Sequence, residues 1–235
     1  MSGPPGPRLL ILGKQGAGKG TQCVRLCRHY GVPHISTGDM FRTAVKSGSE
    51  LGSRLDEYMH AGELIPDDLV IGVVEERLGE DDVANGFVLD GFPRTTNQAE
   101  KLSEMLDPAD VDLVLSLEVP TEVSLRRLAG RRVCRNCGTN YSVDSPPEQN
   151  WTCDDCGGDV VLRGDDTEHA IARRLKLYEQ ETAPLIAWYS EHDKLVAVDG
   201  IGPLDRVTER LVRAVDRRWP AADPVDEVDA MRSAP

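Results

Sequence analysis

Five short apolar runs punctuate the chain: Leu9–Leu12, Pro33–Ile35, Phe87–Leu89, Leu113–Leu117 and Leu195–Val198. Each is continuous rather than alternating and is bounded by Gly, Asp or Pro, the pattern of strands covered on both faces. Between them, apolar positions recur at helical spacing over roughly 19–30, 67–79, 97–106, 121–130, 168–191 and 204–217. Strands alternating with helices predict an α/β fold: a central parallel five-stranded sheet with helices on both faces. Two segments interrupt the rhythm. Residues 36–65 are helical, with no strand of their own and a mixed polar surface, as a small mobile arm has. Residues 130–166 are rich in Cys, Gly, Pro and Asp and too poor in aliphatics for an apolar core. The core is therefore expected over 8–219, with 1–7 as a flexible start and 220–235 as a disordered acidic tail.

The poor core of 130–166 is explained by its cysteines, Cys134-x2-Cys137-x15-Cys153-x2-Cys156. Two close pairs at that separation predict a tetrahedral thiolate cage, with zinc as the metal. Such a metal supplies the order that the segment cannot obtain from burial. Cys23 and Cys27, four apart on a predicted helix, read as small buried apolar residues. His34, His60, His169 and His192 have no ligand-like spacing to the cysteines and read as surface or structural.

Charge narrows the classes of partner. Lys and Arg number 27 against 40 Asp and Glu, a formal net charge of -13. A chain this acidic repels nucleic acid in general, and it has no aromatic stacking platform, so a zinc-ribbon nucleic-acid module is disfavoured. Any anionic ligand needs a local cluster of cations. No run approaches the roughly 18 apolar residues of a membrane span. No export signal precedes Arg8, so a cytoplasmic location is expected, where CxxC pairs mean metal more than disulfide.

One loop carries the strongest chemical signal. Gly13-x4-Gly18-Lys19 follows a predicted strand and opens a predicted helix. Glycines there turn consecutive backbone N–H groups toward one point, the helix terminus adds partial positive charge, and Lys19 reaches outer phosphates. Gly20 replaces the usual Ser/Thr after the lysine, and Thr21 comes one place later. That displacement argues against a GTPase or motor ATPase and for a phosphotransferase.

A second anion site is legible further on. Ser36 or Thr37 caps a helix that projects Arg42. Asp90-Gly-Phe-Pro-Arg94 ends a strand, with Gln98 on the next helix. Ligands of open parallel sheets sit at the carboxyl ends of strands, so Asp90 and Arg94 face the crevice. Arg42 and Arg94 suit a monophosphate, and the Gln98 amide suits a base edge. Arg127, Arg131, Arg163 and Arg174 gather at the edges of the cysteine segment, where Asp165 and Asp166 can pair with some of them.

These motifs resemble the adenylate kinase family, in its long form with a four-cysteine zinc-binding lid. The resemblance runs from Leu9 to about Val215. It rests on GAGKGTQ (Gly16–Gln22), STGDMFR (Ser36–Arg42), LDGFPRTTNQA (Leu89–Ala99), GRRVCRNCG (Gly130–Gly138), RGDD (Arg163–Asp166), TAPLI (Thr182–Ile186) and VDG (Val198–Gly200). It implies a P-loop nucleoside monophosphate kinase fold with two inserted mobile subdomains, reversible phosphoryl transfer from ATP to AMP giving two ADP, and a monomer. ATP would be held by Gly16, Ala17, Gly18, Lys19, Gly20 and Thr21, by Arg127, Arg131, Asn140 and Tyr141 from the lid, and by Gly202 near the adenine. AMP would be held by Thr37, Arg42, Glu63, Leu64, Ile65, Gly91, Phe92, Pro93, Arg94 and Gln98. Lys19, Arg94, Arg127, Arg163 and Arg174 would be the catalytic cations, the last two clamping the phosphates from the AMP side as well. Asp90 would position Mg2+ through water, and the four cysteines would hold structural zinc.

The chain departs from the family's pattern in three places. Lys14-Gln15 stand where small residues or Pro are usual, Ser142 where His often follows the lid tyrosine, and Gly164 where a polar residue often precedes the Asp pair. Two other readings stay open at this level: a kinase for another nucleoside monophosphate or with GTP as donor, and a nucleotide sensor without turnover.

Overall fold

The computed structural model describes residues 6–219. The expected start at 1–7 falls partly, and the expected tail at 220–235 wholly, outside them. Gly6 donates to Asn85 O (2.6 Å) and Pro7 O accepts from Phe87 N–H (3.1 Å), so the start of the described chain is bonded to the segment that opens the strand Phe87–Asp90.

The five apolar runs all form strands: β1 (Arg8–Leu12), β2 (His34–Ser36), β3 (Phe87–Asp90), β4 (Leu113–Glu118) and a last strand, Leu195–Asp199, which is β8 of the chain. Their order is β2-β3-β1-β4-β8, every pairing parallel. Alternate residues serve opposite faces, as strand geometry requires. Leu10, Leu12, Phe87, Leu89 and Val114 meet Phe41, Leu55, Val74, Leu102 and Leu185 on one side. Leu9, Ile11, Val88, Leu113 and Leu115 meet Cys23, Leu26, Leu211 and Val215 on the other. The first layer consists of α2 (Thr37–Lys46), α3 (Glu50–Ala61), α4 (Asp67–Leu78), α5 (Thr96–Leu106) and α8 (Pro184–Glu191). The second consists chiefly of α1 (Lys19–Tyr30) and α9 (Leu204–Arg218), whose buried Val207, Leu211 and Val215 recur every fourth residue on one face.

Segment 36–65 is a helix pair, α2 and α3, and its first residue, Ser36, also closes β2 and caps α2 by accepting from Asp39 N–H. After α6 (Thr121–Gly130) comes a separate antiparallel sheet, β6-β5-β7, made of β5 (Arg131–Cys134), β6 (Asn140–Ser142) and β7 (Val160–Leu162). Its buried apolar cluster is only Cys134, Cys153 and Val160, with Tyr141 packed against it.

One helix differs from expectation. The run over 168–191 is not continuous: α7 (Glu168–Leu177) gives way to a π turn, Tyr178–Thr182, before α8. Pro184 has no N–H to continue the ladder. Ala183 N–H instead reaches Tyr178 O, five residues back, at 2.8 Å.

Candidate active site

The glycine loop joins β1 to α1, with its backbone against α6. Gly13 and Gly16 have positive φ of 140° and 80°. A Cβ on Gly13 would lie 2.5 Å from Leu117 O, and one on Gly16 2.5 Å from Ser124 O, so neither position admits a side chain. The loop therefore sits flat on the end of β4 and the first turns of α6. At its far end the Lys19 ammonium curls back to Gly13 O (2.7 Å) and Lys14 O (3.0 Å). Burial lowers the Lys19 pKa, partly offset by Asp90. Lys14 faces away: its ammonium donates to Thr121 Oγ1 (2.9 Å) and pairs with Glu179 (2.8 Å). It thus ties the loop to the start of α6 and to the π turn. Gln15 Oε1 is buried with no hydrogen-bond partner among the described residues.

A crevice of about 660 Å3 opens over this loop. Gly16 to Thr21 line it on one side; Arg42, Glu63, Gly91, Pro93 and Arg94 line the other. Arg127, Arg131, Asn140, Tyr141, Arg163, Arg174 and Gly202 close the walls. Lys46 of α2 reaches across to Arg135 O of the cysteine-bearing subdomain (2.9 Å), so the two insertions touch over the crevice.

On the arm side, Arg94 donates from Nε to Gly91 O (2.7 Å), and Thr182 Oγ1 fixes its carbonyl (3.0 Å). No carboxylate among the described residues pairs with Arg94. Burial lowers its pKa to about 10, with Arg174 adding to the effect. An arginine still carries its charge well below that value, so Arg94 is a half-buried cation whose nearby anion, Asp90, lies beyond pairing distance. Asp90 lies nearby at the end of β3. Burial pushes its carboxyl up, but His34, Lys19 and Arg94 outweigh that and hold it below the ordinary range.

A smaller recess beside Arg94 is lined by Phe41, Leu64, Ile65, Val70, Gly91 and Gln98. With Arg94 itself, it brings together five of the residues expected to hold AMP: Leu64, Ile65, Gly91, Arg94 and Gln98. Gln98 is wholly buried, its Oε1 accepting from Arg94 N–H (2.8 Å) and its amide donating to Asp67 Oδ1 (2.5 Å). One N–H and one lone pair of the amide are left over. Two expected contacts do not line either space. Thr37 is wholly buried with Oγ1 directed at Asp90 O (3.4 Å), and the Phe92 side chain belongs to the core. Glu63 pairs with Arg173 at 2.7 Å.

Across the crevice, Arg127 spans the loop and the last strand, donating to Ala17 O (2.7 Å) and Gly200 O (3.1 Å). Arg131, Arg163 and Arg174 are held by two buried aspartates. Asp166 accepts from Arg131 (2.5 and 2.6 Å) and Arg174 (3.3 Å); Asp165 accepts from Arg163 (2.7 and 3.0 Å) and Arg174 (2.8 Å). Burial raises the Asp165 pKa, but Arg163 and Arg174 more than reverse this and hold it well below the usual carboxylate value. Arg174 also donates to Met59 O (2.9 Å), fastening α7 to α3.

The four cysteines come together as expected. Their sulfurs lie within 4.8 Å of one another, with Cys134–Cys156 and Cys137–Cys153 at 3.5 Å. Tyr141 links this knot to the crevice: its hydroxyl donates to Cys153 Sγ (3.4 Å) and accepts from Asp154 N–H (2.8 Å). That hydroxyl holds the Cys153 thiol down to about 6.

A family model described as adenylate kinase matches residues 11–194. The adenylate kinase of Desulforudis audaxviator is 48% identical over 212 residues, 89% of this chain and 99% of that protein. That of Moorella thermoacetica is 46% identical over 215 residues, 90% and 99% of the two. That of Archaeoglobus fulgidus is 46% identical over 212 residues, 89% and 98%. The chain belongs to the adenylate kinase family. Membership at this coverage extends over the sheet, both insertions and the crevice they enclose.

Several residues in or beside this adenylate-kinase-family crevice carry no signal in the sequence. Asp67 orients Gln98 and also accepts from Thr95 and Asn97, gathering residues 28 to 31 positions away. Thr182 and Tyr178 enter the crevice only because the π turn rotates them there. His34, expected as surface or structural, is partly buried, with Nε2 3.7 Å from Asp90. No periodicity marks such residues; only the placement of GFPR beside a strand end hinted at Asp67's neighbours. Among the described residues, no helix is long and apolar enough to cross a membrane.

Proposed function

We propose that the chain transfers the terminal phosphoryl group of ATP to AMP, reversibly, giving two ADP. The observation that carries the reading is Arg94: a half-buried cation with no paired carboxylate among the described residues, lining the same crevice as Lys19, with a narrow recess that reaches Gln98 at its side. AMP would place its phosphate on Arg94 and Arg42 and its adenine toward Gln98 and the Leu64–Ile65 backbone. ATP would lay its phosphates on the 16–21 loop, its adenine between Arg127 and Gly202. An oxygen of the AMP phosphate then attacks the γ-phosphorus in line, and the β,γ-bridging oxygen leaves with ADP. The attacking oxygen is already anionic, so the site needs no general base; positioning and charge stabilisation suffice. Lys19, Arg163 and Arg174 would spread over the equatorial oxygens. Of these, Arg163 and Arg174 start from Asp165 and Asp166, which keep them aimed before substrate arrives.

Asp90, ionised and oxygen-bearing at the crevice floor, fits a hard cation held through water, and Mg2+ there would neutralise charge on the nucleotide phosphates. The four thiols fit zinc. A tetrahedral site with Zn–S near 2.3 Å puts sulfurs about 3.8 Å apart, close to the spacing of the pairs here. Four thiolates leave no open position, so this zinc would be structural. The segments 36–65 and 130–166 would move as arm and lid, closing to keep water from the γ-phosphate. The Lys46–Arg135 contact is what a shut crevice requires.

A coupled assay of ADP formation tests the reading, with AMP, CMP, UMP and GMP as acceptors and ATP and GTP as donors. AMP with ATP is expected to lead. Equal rates with CMP or UMP would move the assignment to another nucleoside monophosphate, and a GTP lead would change the donor.

A further inference from the structure

At the crevice floor, Asp90 also belongs to a cluster whose other two members, Cys23 and His34, serve neither phosphate binding nor the cysteine knot. We infer that Cys23, His34 and Asp90 form a second metal site, for a thiophilic divalent cation of the zinc type. Three elements converge there: α1 brings the thiol, β2 the imidazole and β3 the carboxylate. One ligand atom from each, Cys23 Sγ, a ring nitrogen of His34 and an Asp90 oxygen, lies within 4.8 Å of the others. His34 Nε2 and Asp90 Oδ2 are 3.7 Å apart. Tetrahedral zinc with these donors would set them about 3.3–3.8 Å apart, so side-chain adjustments of roughly 0.5 Å complete the site.

A second, independent observation points to a ligand. His34 Nε2 is shielded from solvent and has no hydrogen-bond partner among the described residues. The Asp90 oxygen stands too far for a hydrogen bond and at the right distance for a shared cation. A sulfur, an imidazole nitrogen and one carboxylate select zinc over Mg2+ or Ca2+, which take oxygen donors. Burial and Asp90 keep the Cys23 thiol protonated in the absence of metal, so binding releases that proton to solvent; the resulting thiolate and the carboxylate balance the ion, and the Lys19 ammonium is the nearby cation that opposes it. Cys23 is buried, whereas Asp90 lines the crevice, so the cation enters from the nucleotide side. The fourth position faces that space. A zinc ion there would take Asp90 out of the nucleotide site and slow phosphoryl transfer. That consequence rests on the function proposed above; the existence of the site does not.

The test counts metal. The protein, with its cysteine-knot zinc in place, is dialysed against buffered micromolar free Zn2+, and zinc per chain is measured by atomic emission. Two equivalents are expected for the native chain and one each for Cys23→Ala and His34→Asn, with melting profiles confirming that both variants are folded. Added Zn2+ is expected to inhibit ADP formation at least tenfold more weakly in Cys23→Ala than in the native chain. One zinc per chain in the native protein overturns the site, as does a second zinc retained by both variants. Equal inhibition of native and variant, with the two-to-one difference in zinc intact, leaves the site standing and removes its effect on transfer.

Discussion

In the sheet, Leu9, Leu10, Val88, Leu89 and Val114 are wholly buried between two helical layers, while in the cysteine-bearing subdomain the buried cluster is Cys134, Cys153 and Val160. The sheet obtains its order from apolar area removed from water, about 25 cal/mol per Å2. The subdomain cannot, since three short strands and one buried aliphatic exclude too little water. On the proposed reading, its order comes from zinc at the four cysteines and from the Asp165–Asp166 arginine net at its return to α7. The two regions are also asymmetric in charge. Arg94, fixed to the sheet, has no carboxylate within pairing distance among the described residues, whereas Arg131, Arg163 and Arg174, at the subdomain's borders, are already paired. A rigid core thus carries a cation waiting for an anion, and the cover carries cations kept in place by aspartates.

The largest effect is expected at the unpaired cation. Arg94→Ala should lower AMP-dependent ADP formation by about 10^2–10^3-fold, the scale for losing one preorganised group at developing charge. Its melting temperature should change little, because the half-buried guanidinium has no paired carboxylate and gives up one hydrogen bond, to Gly91 O. Near-native turnover would end the contrast between waiting and paired arginines.

Next comes metal removal. Structural zinc contributes on the order of 10–16 kcal/mol of binding free energy in small zinc-folded peptides. A strong chelator should therefore unfold 130–166 while the sheet melts as its own unit. Rapid proteolytic nicking within 130–166, with the remainder resistant, would confirm the division. A chelated protein that melts and resists protease as before would erase it.

Third, Asp165→Asn leaves Arg163 and Arg174 short of a partner. Removing one member of a buried pair costs about 3–5 kcal/mol, and the partial exposure of the arginines places this one at or below the lower end. The sign with pH follows from the depressed Asp165 pKa. Its contribution is full above the unfolded value of about 3.9 and is lost as pH falls through the folded value. Urea midpoints of the native chain should drop on acidification below that point, and those of Asp165→Asn should drop less. Parallel acid limbs would show that Asp165 is not held by its arginines.

The smallest change is expected for Lys14→Ala. Glu179 is more than half exposed, so this pair is worth no more than about 1 kcal/mol. For a chain of this size that is a melting shift of about 2–4 °C. A loss of turnover beyond severalfold would make the loop's tie to α6 and the π turn part of catalysis.

Much of this arrangement was legible in the chain. Continuous apolar runs gave all five sheet strands, because burial on both faces leaves no polar alternation to blur them. The glycine loop, GFPR and the paired CxxC motifs announced themselves because each needs fixed residues at fixed spacing. What stayed hidden was set by tertiary contact. The strands of the cysteine subdomain are three or four residues long, too short for a period to register. The break in 168–191 depends on how Ala183 and Pro184 finish a ladder. Thr37 and Phe92 belong to the right motifs, yet their side chains face inward rather than into the crevice. Asp67 and His34 acquire partners only once distant strand ends are brought together.

The central claim is that one crevice holds two nucleotides end to end. Titration calorimetry with two adenosines joined by five phosphates tests it most directly. The account predicts one molecule bound per chain, more tightly than ATP or AMP alone, with most of that affinity lost in Arg94→Ala. No heat of binding, or an affinity equal to that of ATP and unchanged in Arg94→Ala, would contradict it.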